Sequence, residues 1–355
     1  IVTMAPNRID ARCDLYGFCG GCQLQHITYE GQLSLKTQKV KDVIERIGHQ
    51  NPDLVKPALG PKEPWAYRNK MQMPVGGTKG NIQMGFYAMR SHDIVQGTNC
   101  PIQDEGNNII AQACYQIAKE FDIEPYDEHT GKGVLRHVIG RIGQSGWMII
   151  LVTATDHLPH QEKWVEKLTE RIPQVETIVH NVNNKQTNVI LGPKNHILYG
   201  EGTITDHIKD LQFTLSPHSF FQVNPEQTTV LYDQALEYAD LKGNETVIDA
   251  YCGTGTISLF LAHKAKHVIG IEIVEPAIIN ARENARHNGY DNTEFIVADA
   301  AVEMPKLYKA GVRPDVIVFD PIRAGCKEEV LTSAAGMEPK RIVYVSCNPA
   351  TMARD

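Results

Sequence analysis

Two groups of residues in this 355-residue sequence combine types and spacings that chemistry requires. The first is thiol-rich. Cys13, Cys19 and Cys22 follow the spacing C-x5-C-x2-C, and "CGGC" places two of them on a tight glycine turn. The other five of the eight cysteines are scattered, at positions 100, 114, 252, 326 and 347. Such clustering in a reducing compartment points to a metal or cluster site more than to disulfides. A fourth thiolate closes either a tetrahedral zinc site or a [4Fe–4S] site. Cys100 in "TNCPIQ" is the candidate for it, whereas Cys114 falls inside the apolar helix pattern "NNIIAQACYQIAKEF" and reads as core.

The second group sits at the ends of short apolar runs in the C-terminal third. "TVIDA" runs into Asp249 and the turn Ala250-Tyr251-Cys252-Gly253-Thr254-Gly255, where two glycines let backbone approach a ligand without a Cβ clash. "HVIGIE" ends in Glu272, which is placed to accept hydrogen bonds from ribose hydroxyls. Ser258 stands where a dinucleotide fingerprint has its third glycine, which tilts the expected ligand from NAD towards S-adenosylmethionine. "TEFIVADA" brings Asp299, either an adenine contact or a helix cap, and "DVIVFDP" brings Asp320 with Pro321 fixing the turn behind it. "RIVYV" leads to Cys347 in "SCNPATMARD", either a reactive thiol at a strand end or a packed one.

These residues need elements to position them. From about residue 243 the five apolar runs alternate with helical patterns, which predicts an open, mainly parallel, doubly wound α/β sheet with ligands at the carboxyl ends of its strands. Upstream, "QLSLKTQKVKDVIERIG" has helical spacing and a glycine stop. "NIQMGFYAM" alternates as a half-buried strand. "GWMIILVTA" and "ETIVHNVN" are further strands, separated by a helix carrying Trp164, Leu168 and Ile172. Residues 25–210 therefore read as an α+β region with an antiparallel sheet.

Together "FFQVN", "DAYCGTGTISL", "FDPIRAGC" and "YVSCNPATMARD" resemble the motifs of the S-adenosylmethionine-dependent RNA (uracil-5-)-methyltransferases. The likeness is greatest to the enzymes acting on 23S rRNA, with the tRNA enzymes as cousins. "CDLYGFCGGCQLQH" and "YRNKMQMPVG" resemble that family's cluster segment and central domain. The resemblance implies a class I methyltransferase fold with a central α+β domain and an N-terminal Fe–S cluster segment, divided as 1–26, 27–215 and 216–355. It implies Cys347 as the nucleophile that adds to uracil C6, because C5 is too weakly nucleophilic to take a methyl group unaided. It implies Gln222, Tyr251, Glu272 and Asp320 as cofactor-binding residues. It favours a [4Fe–4S] cluster over zinc on Cys13, Cys19, Cys22 and Cys100, in a structural or RNA-positioning role. Phe220 and Phe221 are core aromatics or neighbours of a flipped base. Ile322 replaces the family's second proline, which predicts a looser turn with Asp320 and Arg323 retained.

The resemblance also implies a longer protein. Two more strands and a general-base glutamate are expected downstream and a small RNA-binding barrel upstream, so the sequence in hand is expected to methylate poorly alone. A formal charge of −7 argues mildly against nucleic acid as partner, although Lys36, Lys39, Lys41, Arg68 and Lys70 offer local positive charge. No apolar run reaches the length of a membrane span, and no signal peptide is evident, so a cytoplasmic monomer is expected. Two other readings compete: an iron–sulfur RNA-binding protein with an inactive methyltransferase fold, and an amino-methyltransferase acting on adenine or guanine, which needs no thiol.

Overall fold

Side-chain alternation in the first half of the chain builds one sheet with two apolar faces. The computed structural model describes residues 5–355. Helix α1 (Tyr29–Arg46) is capped by the Thr28 hydroxyl and followed by β1 (Lys70–Thr78), β2 (Asn81–Tyr87), β3 (Ile94–Gln96), α2 (Glu105–Glu120), β4 (Leu135–Ile142), β5 (Trp147–Thr153), α3 (Gln161–Arg171), β6 (Val175–Val182) and β7 (Lys194–Tyr199). These strands form a seven-stranded sheet in the order β3-β2-β1-β4-β5-β6-β7. All its pairings are antiparallel except β5 with β6, which run parallel because α3 carries the chain back across the sheet. The all-antiparallel expectation fails at that one crossover.

Alternate residues of β5 feed two cores. Ile149 and Leu151 pack under α2 and α3 with Ile110, Trp164 and Leu168. Met148, Ile150 and Val152 point the other way and join Phe213, Phe221, Val247 and Val268 of the following region. The hairpin β8 (Ile204–Ile208) and β9 (Leu211–Leu215) lies in that shared layer.

Helix α4 (Pro225–Ala239) then leads into β10 (Thr246–Asp249), α5 (Thr256–Ala262), β11 (His267–Glu272), α6 (Glu275–His287), β12 (Thr293–Val297), α7 (Ala300–Lys309), β13 (Val316–Phe319), α8 (Glu328–Gly336), β14 (Arg341–Tyr344) and α9 (Pro349–Arg354). The five strands are all parallel, in the order β12-β11-β10-β13-β14. The three central strands β10, β11 and β13 are buried on both faces and need apolar residues, hence the short runs "VI", "VIGI" and "VIVF", whereas the edge strands β12 and β14 keep exposed positions. Strand order reverses between β10 and β13, where such sheets open a crevice for ligands. Among the described residues no helix is long and apolar enough to cross a membrane.

Candidate functional site

The turn after β10 is shaped by Gly253 and Gly255, both left-handed at φ +54° and +81°. A Cβ on Gly255 would crowd Ala281, whereas one on Gly253 would meet nothing within 4 Å, so open ground lies over Gly253 at the crevice. Glu272 is fixed there. Its carboxylate accepts from the Gly253 N–H at 3.2 Å and from the Val274 N–H at 2.9 Å, one oxygen each. Each oxygen keeps a lone pair for a further donor.

Asp249 is fully buried beneath this turn. One oxygen accepts from the Ser258 hydroxyl at 2.6 Å and the other has no partner. Burial pushes its carboxyl up to about 7, with Asp320 and Glu272 adding repulsion and Ser258 opposing. Asp320, at the end of β13, is raised to about 6 by burial alone. Tyr232 shares a 2.9 Å hydrogen bond with Thr256 and lies beside Gln222 and Asp320. Glu272 and Asp320 thus end the strands on either side of β10 at the crevice with buried Asp249 beneath them, and among the described residues none of the three is paired with a cation. A ligand bearing positive charge and hydroxyl donors, as S-adenosylmethionine does, matches these acceptors.

The other candidates fall in different places. Tyr251 packs on Phe319, with ring centroids 6.5 Å apart, and its hydroxyl is raised by burial and by neighbouring Cys326. Asp299 caps α7 through the Ala301 N–H at 2.9 Å and pairs with Lys327 at 2.8 Å, which makes it a helix cap. Phe221 is core, 5.6 Å from Phe213, while Phe220 is 71% exposed beside it in sequence. Cys114 is fully buried, as its helix pattern implied.

Cys347 is exposed in the loop between β14 and α9. The Asn348 side chain caps α9 through the Ala350 N–H and also donates to the Arg323 carbonyl, which Thr351 reaches as well, both at 3.3 Å. Arg354 donates to the Ala324 carbonyl at 2.9 Å. Asp355 completes the stitching, for one of its oxygens accepts from the Cys326 N–H at 2.7 Å and the Tyr344 hydroxyl at 2.6 Å. The loop after Asp320 is therefore tied to the helix after Cys347. Ile322 is 78% exposed, and its carbonyl accepts from the Gly325 N–H at 2.9 Å, so the turn closes without a second proline. Sequence reasoning named Asp249 at its strand end without giving it a role, and passed over Tyr232 and Asp355, although Asp355 stands inside a motif it singled out.

Cys13, Cys19, Cys22 and Cys100 line one cavity of about 320 Å3, together with Tyr67, Arg68 and Gln103. Burial raises the thiols of Cys22 and Cys100, and repulsion from the other cysteines adds to it. Among the described residues no three Cys, His, Asp or Glu side chains stand close enough to share a single metal ion. A run of backbone hydrogen bonds leaves this cavity: Ala66 N–H to Pro101 O at 2.9 Å, Arg68 N–H to Ile102 O at 2.9 Å, and Asn69 N–H to Val223 O at 3.0 Å. It joins the neighbourhood of Cys100 to the residue after Gln222.

Comparison with known proteins accords with this layout. A model of the methyltransferase domain matches residues 241–354. A protein of Halalkalibacterium halodurans named as an uncharacterized RNA methyltransferase is 52% identical over 357 residues, covering 100% of this chain and 78% of its own. A Clostridium tetani protein of the same description is 49% identical, covering 100% and 77%. Among solved structures, the Pyrococcus abyssi tRNA (uracil-54, C5)-methyltransferase in complex with S-adenosyl-L-homocysteine superposes with a TM-score of 0.80 at 26% identity, over 100% of this chain and 80% of that one.

Proposed function

The chain belongs to the RNA methyltransferase family, and from that premise we propose that it transfers a methyl group from S-adenosylmethionine to C5 of a uracil in RNA. The observation that carries this reading is an exposed thiol, Cys347, one strand away from the half-buried carboxyl of Asp320, with the segments that follow the two residues hydrogen-bonded to each other. The likeness to a uracil-C5 enzyme across the whole chain supports it. S-adenosylmethionine supplies an electrophilic sulfonium methyl. The Cys347 thiolate adds to C6 of the uracil, and the resulting enolate makes C5 a nucleophile. After methyl transfer a base takes the C5 proton and the thiolate leaves. Asp320 faces the nucleobase or the cofactor's positive charge, Glu272 accepts from ribose hydroxyls, and Gln222 and Tyr251 complete the cofactor site. An amino-methyltransferase needs no thiol, so the exposed Cys347 favours the uracil reading.

The four cysteines that line one cavity would be the ligands of a [4Fe–4S] cluster. The same four thiolates would also suit tetrahedral zinc, and the resemblance to the uracil-C5 family is what favours the cluster. The cluster would brace the segment that holds the Gln222 loop. We divide the chain into a cluster segment 1–26, an RNA-binding part 27–215 and a methyltransferase part 216–355, the latter two sharing a core. The RNA is 23S rRNA, on the motif likeness described above, with tRNA as the second candidate.

The decisive experiment incubates the protein with 5-fluorouridine RNA and S-adenosylmethionine. A covalent adduct is expected with the unaltered protein and none with Cys347→Ala, whereas equal methylation by both refutes the mechanism. Mapping of 5-methyluridine in 23S rRNA and tRNA, from cells with and without the full-length protein, separates the two substrates. Reconstitution with iron and sulfide is expected to load about four iron atoms per chain, and Cys100→Ser to lose them. Zinc retained in their place refutes the cluster.

A further inference from the structure

Strands β1 and β4 are antiparallel neighbours whose register sets Lys70 directly opposite Arg141. Like charges in that position repel. Alternation sends both side chains to the sheet face that carries Ile139, away from the core holding Met71 and Met73. Arg141 is 3% exposed. Its guanidinium donates to the carbonyls of Pro217, at 3.3 Å, and Ser219, while its Nε is buried without a partner. Arg68 contributes a third charge: burial first, then Arg141 and Arg68, draw the Lys70 ammonium down to about 7.

No acid answers these cations. Among the described residues neither Lys70, Arg68 nor Arg141 has a carboxylate within ion-pair distance. Asp206, which accepts from the Asn69 side chain at 3.4 Å, has its carboxyl raised by burial, the opposite of what an adjacent cation does. Buried cations without a counter-charge are costly, and an entering anion removes that cost. Arg and Lys side by side suit a phosphate oxygen pair. The loop that Arg141 braces carries exposed Phe220 and Gln222, so an anion bound there lies at the doorway to the reacting base.

We propose that Lys70 and Arg141 form a binding site for a backbone phosphodiester of the RNA substrate, next to the target uridine. This rests on the RNA methyltransferase reading above. Half-buried Lys70 would make the direct contact, and Arg141, held beneath the loop by the Pro217 and Ser219 carbonyls, would supply the second positive charge of the site. Such contacts position RNA without reading its sequence.

The test measures binding of an unmodified 23S rRNA transcript across a range of KCl concentrations, with S-adenosylmethionine binding measured in parallel. Lys70→Gln is expected to weaken RNA binding by about threefold to tenfold and to lower the slope of log Kd against log salt by about one unit. Lys70→Arg is expected to restore the slope, and cofactor affinity to stay unchanged in both. Arg141→Lys, which keeps the charge while loosening the loop, is expected to retain the salt slope. An unchanged slope in Lys70→Gln overturns the proposal, as does a loss of cofactor affinity with RNA binding intact, which would assign the anion to the cofactor's carboxylate. If the unaltered protein forms the 5-fluorouridine adduct while Lys70→Gln keeps its slope, only the phosphate site fails. An unaltered protein with no RNA affinity overturns both readings.

Discussion

Replacing Asp320 by Asn is expected to stabilise the protein while abolishing methyl transfer. Burial raises this carboxyl from 3.8 to about 6, which corresponds to about 3 kcal/mol of differential free energy between folded and unfolded chains. Allowing for the partial exposure of the group, about 1–3 kcal/mol is realistic. The sign follows from proton binding. Below pH 3.8 the carboxyl is neutral in both states and costs nothing extra. As pH rises towards 6 the unfolded chain ionises first, so the stability associated with the protonated form is lost progressively and stays lost above that value. Asn cannot ionise, so the variant gains on the unaltered protein across this window and holds a constant lead beyond it. For a chain of this size the lead amounts to about 1–4 °C in melting temperature. Ligand-free melts of both proteins between about pH 4 and 8 read it directly. A variant less stable at neutral pH, or a difference that does not change with pH, refutes the premise that Asp320 is held at an energetic cost for its function.

Asp355→Ala removes the acceptor of the buried Cys326 N–H and the half-buried Tyr344 hydroxyl, leaving both donors without it, and is expected to cost about 1–3 kcal/mol. Urea unfolding measures the loss, and faster alkylation of Cys326 than in the unaltered protein localises it. Phe220→Ala removes a ring that is 71% exposed, so stability is expected to change by no more than about 0.5 kcal/mol. Yield of the 5-fluorouridine adduct is expected to fall in the same variant, and an unchanged yield refutes a role for Phe220 beside the base.

The parallel sheet was legible because its central strands β10, β11 and β13 are short apolar runs followed by an acidic residue, and their burial on both faces leaves no alternation to confuse the reading. Helix α2 was equally plain, with Cys114 and Ile117 on its buried stripe. Strand β4 was not, for its sequence "LRHVIGRI" buries Arg136, His137 and Arg141 among apolar neighbours. The two arginines are accommodated by partners far along the chain: Arg136 donates to the carbonyls of Asn183 and Lys185, and Arg141 to those of Pro217 and Ser219. No local pattern encodes such contacts. The same holds for Asp355, whose partners Cys326 and Tyr344 belong to other elements. The thiol quartet shows the converse. Its three clustered members drew attention by spacing, and Cys100 joined them through a prediction the cavity accommodates, since all four line it.

The run of backbone hydrogen bonds from Pro101 and Ile102, through Ala66, Arg68 and Asn69, to Val223 also bears on how the chain matures. Domains form largely as synthesis proceeds from the N-terminus. Residues 66–102 leave the ribosome well before Val223, so the docking edge for the Gln222 loop is made ahead of the loop itself. Closing contacts over so long a separation is slow, and a preformed edge shortens that search. An N-terminal half that fails to settle would therefore leave a methyltransferase sheet with sound strands and a cofactor loop lacking its template.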